Sequence, residues 1–233
     1  MFFTIALIVT DQTAYLLPFT LDGISKQDFH DFEVLKITHQ GNISEMMNEA
    51  IAQANGEYIH FLTPGEFYTS SRSLTLIAEQ IHSHANPDLL SMGYIERHSL
   101  ALPQTFIQPL SIKDLKRGRF GHSLQSHFFR TETLLSLGGF NPDYVAQGGF
   151  DMICRFYEDS HLRKTFIRRV LTDYEYRLPP PKRVVAQFFE VFLIICRHFG
   201  LSKALIWWTA QNNLRLLRWW FKSVQRAFIS QRG

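Results

Sequence analysis

The chain has 233 residues, 45% hydrophobic and 14% aromatic, enough for one good-sized domain with a packed core, which excludes global disorder. Its net charge of +3 is too small to mark a nucleic-acid binder by itself. Two cysteines, Cys154 and Cys196, form neither a disulfide framework nor a metal-ligand pattern, which suits burial in a reducing cytosol.

Met1 to Val9 is apolar, with no basic residues ahead of it and no small-residue cleavage site after it, so it reads as a strand and not as a leader. Phe3 to Thr10 is a β-branched run suited to a buried parallel strand, which Asp11 ends. Tyr15 to Ile24 is weakly periodic and carries Pro18 near its first turn, as helices tolerate. Phe32 to Ile37 is the second predicted strand. Ile43, Met46, Met47, Ala50, Ile51 and Ala54 then recur at helical spacing. Asn42 followed by Glu45 predicts a capping box at the helix start, and Asn55-Gly56 predicts its end. Tyr58 to Leu62 reads as a short buried strand, and Thr63-Pro64-Gly65-Glu66 as the turn at its carboxyl end. In an open α/β sheet such ends are where ligands bind.

Ser70 to Ile81 is a further predicted helix, capped by Ser70 or Ser71, and Asp88 to Tyr94 a further strand. Leu102 to Arg119 reads as a loop. Its cluster of Lys113, Lys116, Arg117 and Arg119 suits either a solvated surface or a phosphate-facing one. The triple proline Pro179-Pro180-Pro181 marks a boundary, dividing a domain of residues 1–178 from an extension of residues 179–233. Glu190 is the only acid beyond it, among nine Lys and Arg residues. Val184 to Phe199 is shorter than the ~20 apolar residues a bilayer crossing needs. The pairs Trp207-Trp208 and Trp219-Trp220, with basic residues between, suit helices lying on an anionic membrane surface, helices packed on the domain, or both. The apolar density argues against RNA.

NEAIAQANGEYIHFL, with the turn that follows, resembles the helix-then-strand signature of family 2 glycosyltransferases. Two further stretches resemble the same family. ISKQDFHDFEV matches through Gln27, Phe29, Phe32 and Glu33. HSLQSHFFRTETLLSLGGF matches through Gln125, Ser126, Phe128, Phe129, Arg130, Leu137, Gly138, Gly139 and Phe140. The resemblance implies a GT-A fold: an α/β, Rossmann-like mixed sheet flanked by helices, here with a C-terminal helical extension. It places Asp11 and Asn48 near the nucleotide, and Glu66 at the acidic turn, where it would hold a divalent metal, Mn2+ or Mg2+. Gln125, Ser126, Arg130 and Gly149 fall on the acceptor side. The general base of the family aligns with Gly149, which leaves Asp151 as the nearest carboxylate to serve as catalytic base. His122 and His127 are substitutes. The family's acid pair after the second strand is absent, since Ile37 runs through Thr38, His39 and Gln40 straight to Gly41.

The function implied is sugar transfer with inversion. The donor is a nucleotide-sugar, UDP-linked, and the acceptor is lipid-linked or a surface polysaccharide. The implied location is cytoplasmic, peripheral to the inner face of the plasma membrane, with no nucleic-acid partner. The alternative is a catalytically inactive scaffold of the same fold that binds a partner, a glycan or a membrane. A dinucleotide-binding oxidoreductase fails for want of a G-x-G-x-x-G after the first strand.

Overall fold

The computed structural model describes residues 1–38, 41–98, 101–120, 124–177, 179–211 and 220–222. In chain order the strands are β1 (Phe3–Ile8), β2 (Phe32–Ile37), β3 (Tyr58–Leu62), β4 (Phe67–Tyr68), β5 (Leu89–His98), β6 (Ala101–Phe106), β7 (His127–Arg130) and β8 (Lys164–Tyr176). The α-helices are α1 (Leu17–Ser25), α2 (Ile43–Gln53), α3 (Ser73–Ser83), α4 (Ile112–Leu115), α5 (Thr131–Ser136), α6 (Gly148–Glu158), α7 (Pro181–Phe199) and α8 (Leu201–Ala210).

The strands form one mixed sheet in the order β2-β1-β3-β7-β5-β8-β4, with β6 added to β5. β2, β1 and β3 are parallel to one another. β7 is antiparallel to both β3 and β5, and β5 is parallel to β8. Five strands, β1, β2, β3, β5 and β8, therefore point the same way, and their carboxyl ends share one edge.

Side chains alternate across the sheet, as its period of two requires. Ala6 and Ile8 of β1, with Ile59 and Phe61 of β3, face the core beneath α2, α6 and α7. Phe3, Ile5 and Leu7, with Tyr58 and Leu62, face the core beneath α1 and α3. Residues that carry the glycosyltransferase resemblance serve this architecture. Glu33 accepts from Thr4 Oγ1 at 2.6 Å and from the Asn55 N–H at 2.7 Å, which fixes the turn leaving α2. Gly56 lies in that turn so close to β1 that a Cβ there would sit 2.4 Å from Thr4 N. Gln27 reaches Ser70 O at 2.9 Å and accepts from the Leu74 N–H at 3.1 Å.

The expected elements from β1 to α2 and β3 are present, and Asn42 and Glu45 form the capping box. Two readings need correction. α3 starts at Ser73, with Arg72 and not a serine at its cap position, because Ser70 and Ser73 bond to each other instead. The segment read as a loop from Leu102 contains β6, an edge strand exposed along nearly its whole length, so its side chains give no buried pattern and Pro103 is tolerated. The long, polar-rich β8, which the sequence reading did not identify, runs between β5 and the short edge strand β4.

The described part of the extension packs on the domain. Ile194, Ile195, Ala204 and Trp207 belong to the same core as Phe129, Phe150 and Met152. Glu190 is buried, and its carboxylate accepts the Val145, Ala146 and Gln147 N–H groups at 2.9, 2.9 and 2.8 Å, holding the entry to α6. Along α6, His198 bridges Asp151 in the first turn (2.9 Å) and Glu158 at the last residue (2.6 Å). No helix among the described residues is long and apolar enough to cross a membrane. Trp219 and the basic residues beyond Lys222 lie outside the described residues.

Hydrogen bonds to charged acceptors each contribute about 1.5–3 kcal/mol, and Glu190 makes three. Glu190→Ala should therefore lower unfolding stability by at least about 3 kcal/mol, read as a fall in the urea midpoint with the slope unchanged. Glu190→Gln, which retains acceptance through one oxygen, should lose less.

Candidate functional site

The carboxyl edge of the sheet gathers Asp11 after β1, Thr38 after β2, the Thr63–Glu66 turn after β3, and the ends of β5 and β8 at Arg97 and Arg177. β7 runs in reverse, so Gln125 and Ser126 at its start join this edge. Arg130 at its end pairs with Tyr58, the first residue of β3. Arg130 thus lies at the opposite edge, beside Glu57 and Glu132, and not with the acceptor-side group expected for it.

Glu66 is the centre of the edge, and it faces inward. It is only 2% exposed. Oε2 accepts the Thr63 N–H at 2.6 Å, closing the turn on itself, and Oε1 accepts from Gln125 Nε2. Burial pushes its pKa up to about 8, against the opposing hydrogen bonds from Thr63 and Gln125 and the charge of Arg177. Gln125 Oε1 is buried without a hydrogen-bond partner among the described residues. Turning that amide over would let a protonated Glu66 donate to it. The network continues to His60, whose Nε2 bonds Gln125 O at 2.9 Å and whose Nδ1 bonds the Tyr68 hydroxyl at 2.8 Å. Burial holds His60 neutral, with its pKa lowered to about 4.

From outside, two arginines brace the turn. Arg97 donates to Gly65 O at 2.8 Å while its guanidinium pairs with Asp173 at 2.7 Å. Arg177 donates to Pro64 O at 2.9 Å and to Glu175 at 2.6 Å. Gly65 has φ +98°, a left-handed backbone that favours glycine, and a Cβ there would also displace the Arg177 guanidinium, 2.6 Å away.

This arrangement does not fit the divalent metal expected at Glu66. Its carboxylate oxygens and the two neighbouring carbonyls, the oxygen donors a hard cation needs, are already bonded to nitrogen donors. Among the described residues no group of three or more His, Cys, Asp and Glu side chains is placed to hold a metal ion.

Asp151, expected as catalytic base, is also turned in. It is 1% exposed, hydrogen-bonded to His198 Nε2 and ion-paired with Arg155 Nη2, both at 2.9 Å. Burial would raise its pKa, but the His198 hydrogen bond and the Arg155 charge outweigh it and hold it below the ordinary value. A clamp between α6 and α7, with both oxygens occupied, does not present a carboxylate to an acceptor hydroxyl. Gly149, at the base position, is backed by Leu124, which a Cβ would meet at 3.0 Å. Asn48, expected near the nucleotide, instead holds both backbone groups of Phe140, at 2.8 and 2.7 Å. Gly139, with φ +71°, is needed there because a Cβ would meet Asn48 Oδ1 at 2.5 Å. Asp11 stands exposed at the end of β1. Ser126 is buried, with its hydroxyl 3.1 Å from His127 Nδ1. His122 lies outside the described residues.

The sequence reading missed His60, Tyr68, Arg97, Asp173 and Arg177. His60 gave a signal, a lone imidazole within an apolar strand. The arginines gave none, because Arg97 lies beyond the strand read as ending at Tyr94 and β8, which leads to Arg177, was not read as a strand.

No protein-family model matches the chain, and no curated protein matches it in sequence. Solved structures do. Residues 1–349 of S. aureus TarS superpose with a TM-score of 0.66 and 15% identity, covering 96% of this chain and 79% of that one. TarS 1–349 in complex with UDP-GlcNAc gives 0.64 and 16%, covering 87% and 69%. The mannosyltransferase PcManGT from Pyrobaculum calidifontis, in complex with GDP-Man and Mn2+, gives 0.58 and 14%, covering 97% and 75%. The chain has the GT-A type of fold found in nucleotide-sugar glycosyltransferases.

Glu66 also makes the edge pH-sensitive. Unfolded, it ionises near the ordinary carboxylate value. Folded, it keeps its proton to about pH 8, so between the two the native state holds one proton more and stability falls as pH rises. Gln keeps the shape and the neutral form. Between about pH 5 and about pH 9 the wild type should lose thermal stability relative to Glu66→Gln, and the difference between their melting temperatures against pH measures it.

Proposed function

We propose that this protein transfers a sugar from a nucleotide-sugar donor, UDP-linked, to a lipid-linked or surface-polysaccharide acceptor at the inner face of the plasma membrane, with inversion. The observation that carries the reading is the carboxyl edge of five parallel strands. Asp11, the Thr63–Glu66 turn and Gln125 converge there, in a fold whose solved relatives were captured with UDP, UDP-GlcNAc and GDP-Man. In such a reaction the acceptor oxygen attacks the anomeric carbon on the face opposite the diphosphate. The bond to the leaving diphosphate breaks as the hydroxyl gives up its proton.

What this chain contributes is binding and orientation. The turn is pre-set by Glu66 and braced by Arg97 and Arg177, so ordering it costs little when the donor arrives. With Glu66 turned inward, donor binding proceeds without a divalent cation at that carboxylate. With Asp151 committed to His198 and Arg155, no positioned base is supplied from α6. Loss of such a base typically costs ~10²–10⁴-fold, so turnover should be slow. The same two observations favour a second reading, a scaffold that retains the fold and binds without transferring.

Titration calorimetry with a panel of UDP- and GDP-sugars, in Mn2+ and in EDTA, separates these. The expected result is one nucleotide-sugar that binds with equal affinity in both. Binding only in Mn2+ would mean that Glu66 turns outward on binding. No binding by any donor would leave the scaffold.

A further inference from the structure

α7 and α8 carry an apolar stripe that the fold does not bury. Val185, Phe189 and Leu193 recur every four residues along α7, and Leu201 and Leu205 follow along α8. Each is 45–57% exposed. Trp208 joins the two rows, its ring 5.9 Å from that of Phe189. Lys182 and Lys203 are exposed on the same two helices.

We infer that this stripe is a docking face for an anionic lipid surface. The charge balance selects that occupant. Of the ten charged Lys, Arg, Asp and Glu residues beyond Pro181, nine are basic, and the single acid, Glu190, is buried under three backbone N–H groups. The extension therefore offers a partner no exposed carboxylate. A second copy meeting this face would bring basic residues against basic residues, whereas anionic headgroups neutralise them while acyl chains cover the apolar rows. Position supports the same occupant. Arg183 lies 3.5 Å from Val145 O, and Glu190 holds residues 145–147, so the first half of α7 lies against the loop entering α6. That loop precedes Gly149, which the resemblance puts on the acceptor side. A lipid-linked acceptor would then be presented from the plane on which α7 rests. This deepens the proposed function by naming the face that meets the membrane.

Flotation of the full chain with vesicles of equal parts phosphatidylglycerol and phosphatidylcholine, or of phosphatidylcholine alone, tests the inference. The wild type should float with the anionic vesicles and less with the neutral ones. Phe189→Ser with Leu193→Ser and Leu205→Ser should reduce flotation by about tenfold or more. Lys182→Glu with Lys203→Glu should remove the preference for anionic lipid. All these positions are exposed, and unchanged melting temperatures confirm that the variants fold. Wild-type failure to float, or unchanged flotation of the serine variant, overturns the inference. So does a wild-type dimer in light scattering that the serine variant makes monomeric, which would give the face to a second copy. Donor calorimetry on the same variants keeps the two readings apart: lost flotation with intact donor binding concerns the face alone, and absent donor binding with intact flotation concerns the transferase.

Discussion

The inward turn of the Glu66 carboxylate sets the rest of the candidate site. A buried carboxyl group is costly unless its oxygens are bonded, and here the Thr63 N–H and the Gln125 amide supply the partners. Meeting that requirement closes the turn after β3 and draws the start of β7 to it. The Gln125 carbonyl is thereby positioned over His60 in the neighbouring strand. The turn's own carbonyls point outward and are taken by Arg97 and Arg177. One buried acid thus joins β3, β7, β5 and β8 at the edge where an open α/β sheet binds its ligands.

The same conversion of chemistry into architecture recurs at α6. Asp151 lies in the first turn of α6, and the Glu190 carboxylate, from the middle of α7, meets the backbone entering that same helix; both sit where the α6 dipole favours negative charge. Each is consumed by a partner from the other element of the α6–α7 pair: Asp151 by His198, and Glu190 by the backbone leading into α6. Burial alone would lower the pKa of His198, but the hydrogen bonds to Asp151 and Glu158 outweigh it and raise it, which favours the charged imidazolium in the clamp. Removing one member of such a buried pair leaves an uncompensated charge, so the clamp is harder to break than its net contribution to stability suggests.

Much of the fold was legible because it rests on local chemistry. Apolar β-branched runs gave β1, β2 and β3, and Asn42 with Glu45 gave the start of α2. β6 was illegible because an exposed edge strand has no buried face to impose alternation. β8 was illegible because its arginines and acids pair with groups distant in sequence, such as Asp173 with Arg97. The residues that carried the family resemblance were legible as a pattern but not as roles. Gln27, Glu33, Asn48 and Gly139 recur in that pattern, and here they tie turns and helices together. Whether Glu66 faces outward or inward depends on Gln125, 59 residues away, and no local pattern encodes that.

α7 links these parts mechanically. Glu190 and His198 tie it to both ends of α6, while Val185, Phe189 and Leu193 leave its outer side apolar and exposed. Among the described residues, α7 is tied to the loop entering α6 on one side and carries exposed apolar side chains on the other. Asp151 and Glu66, the acids expected as base and metal ligand, are instead anchors that hold this geometry. Chemistry at this edge is therefore left to groups still open to it, among them Asp11, the exposed acid at the end of β1.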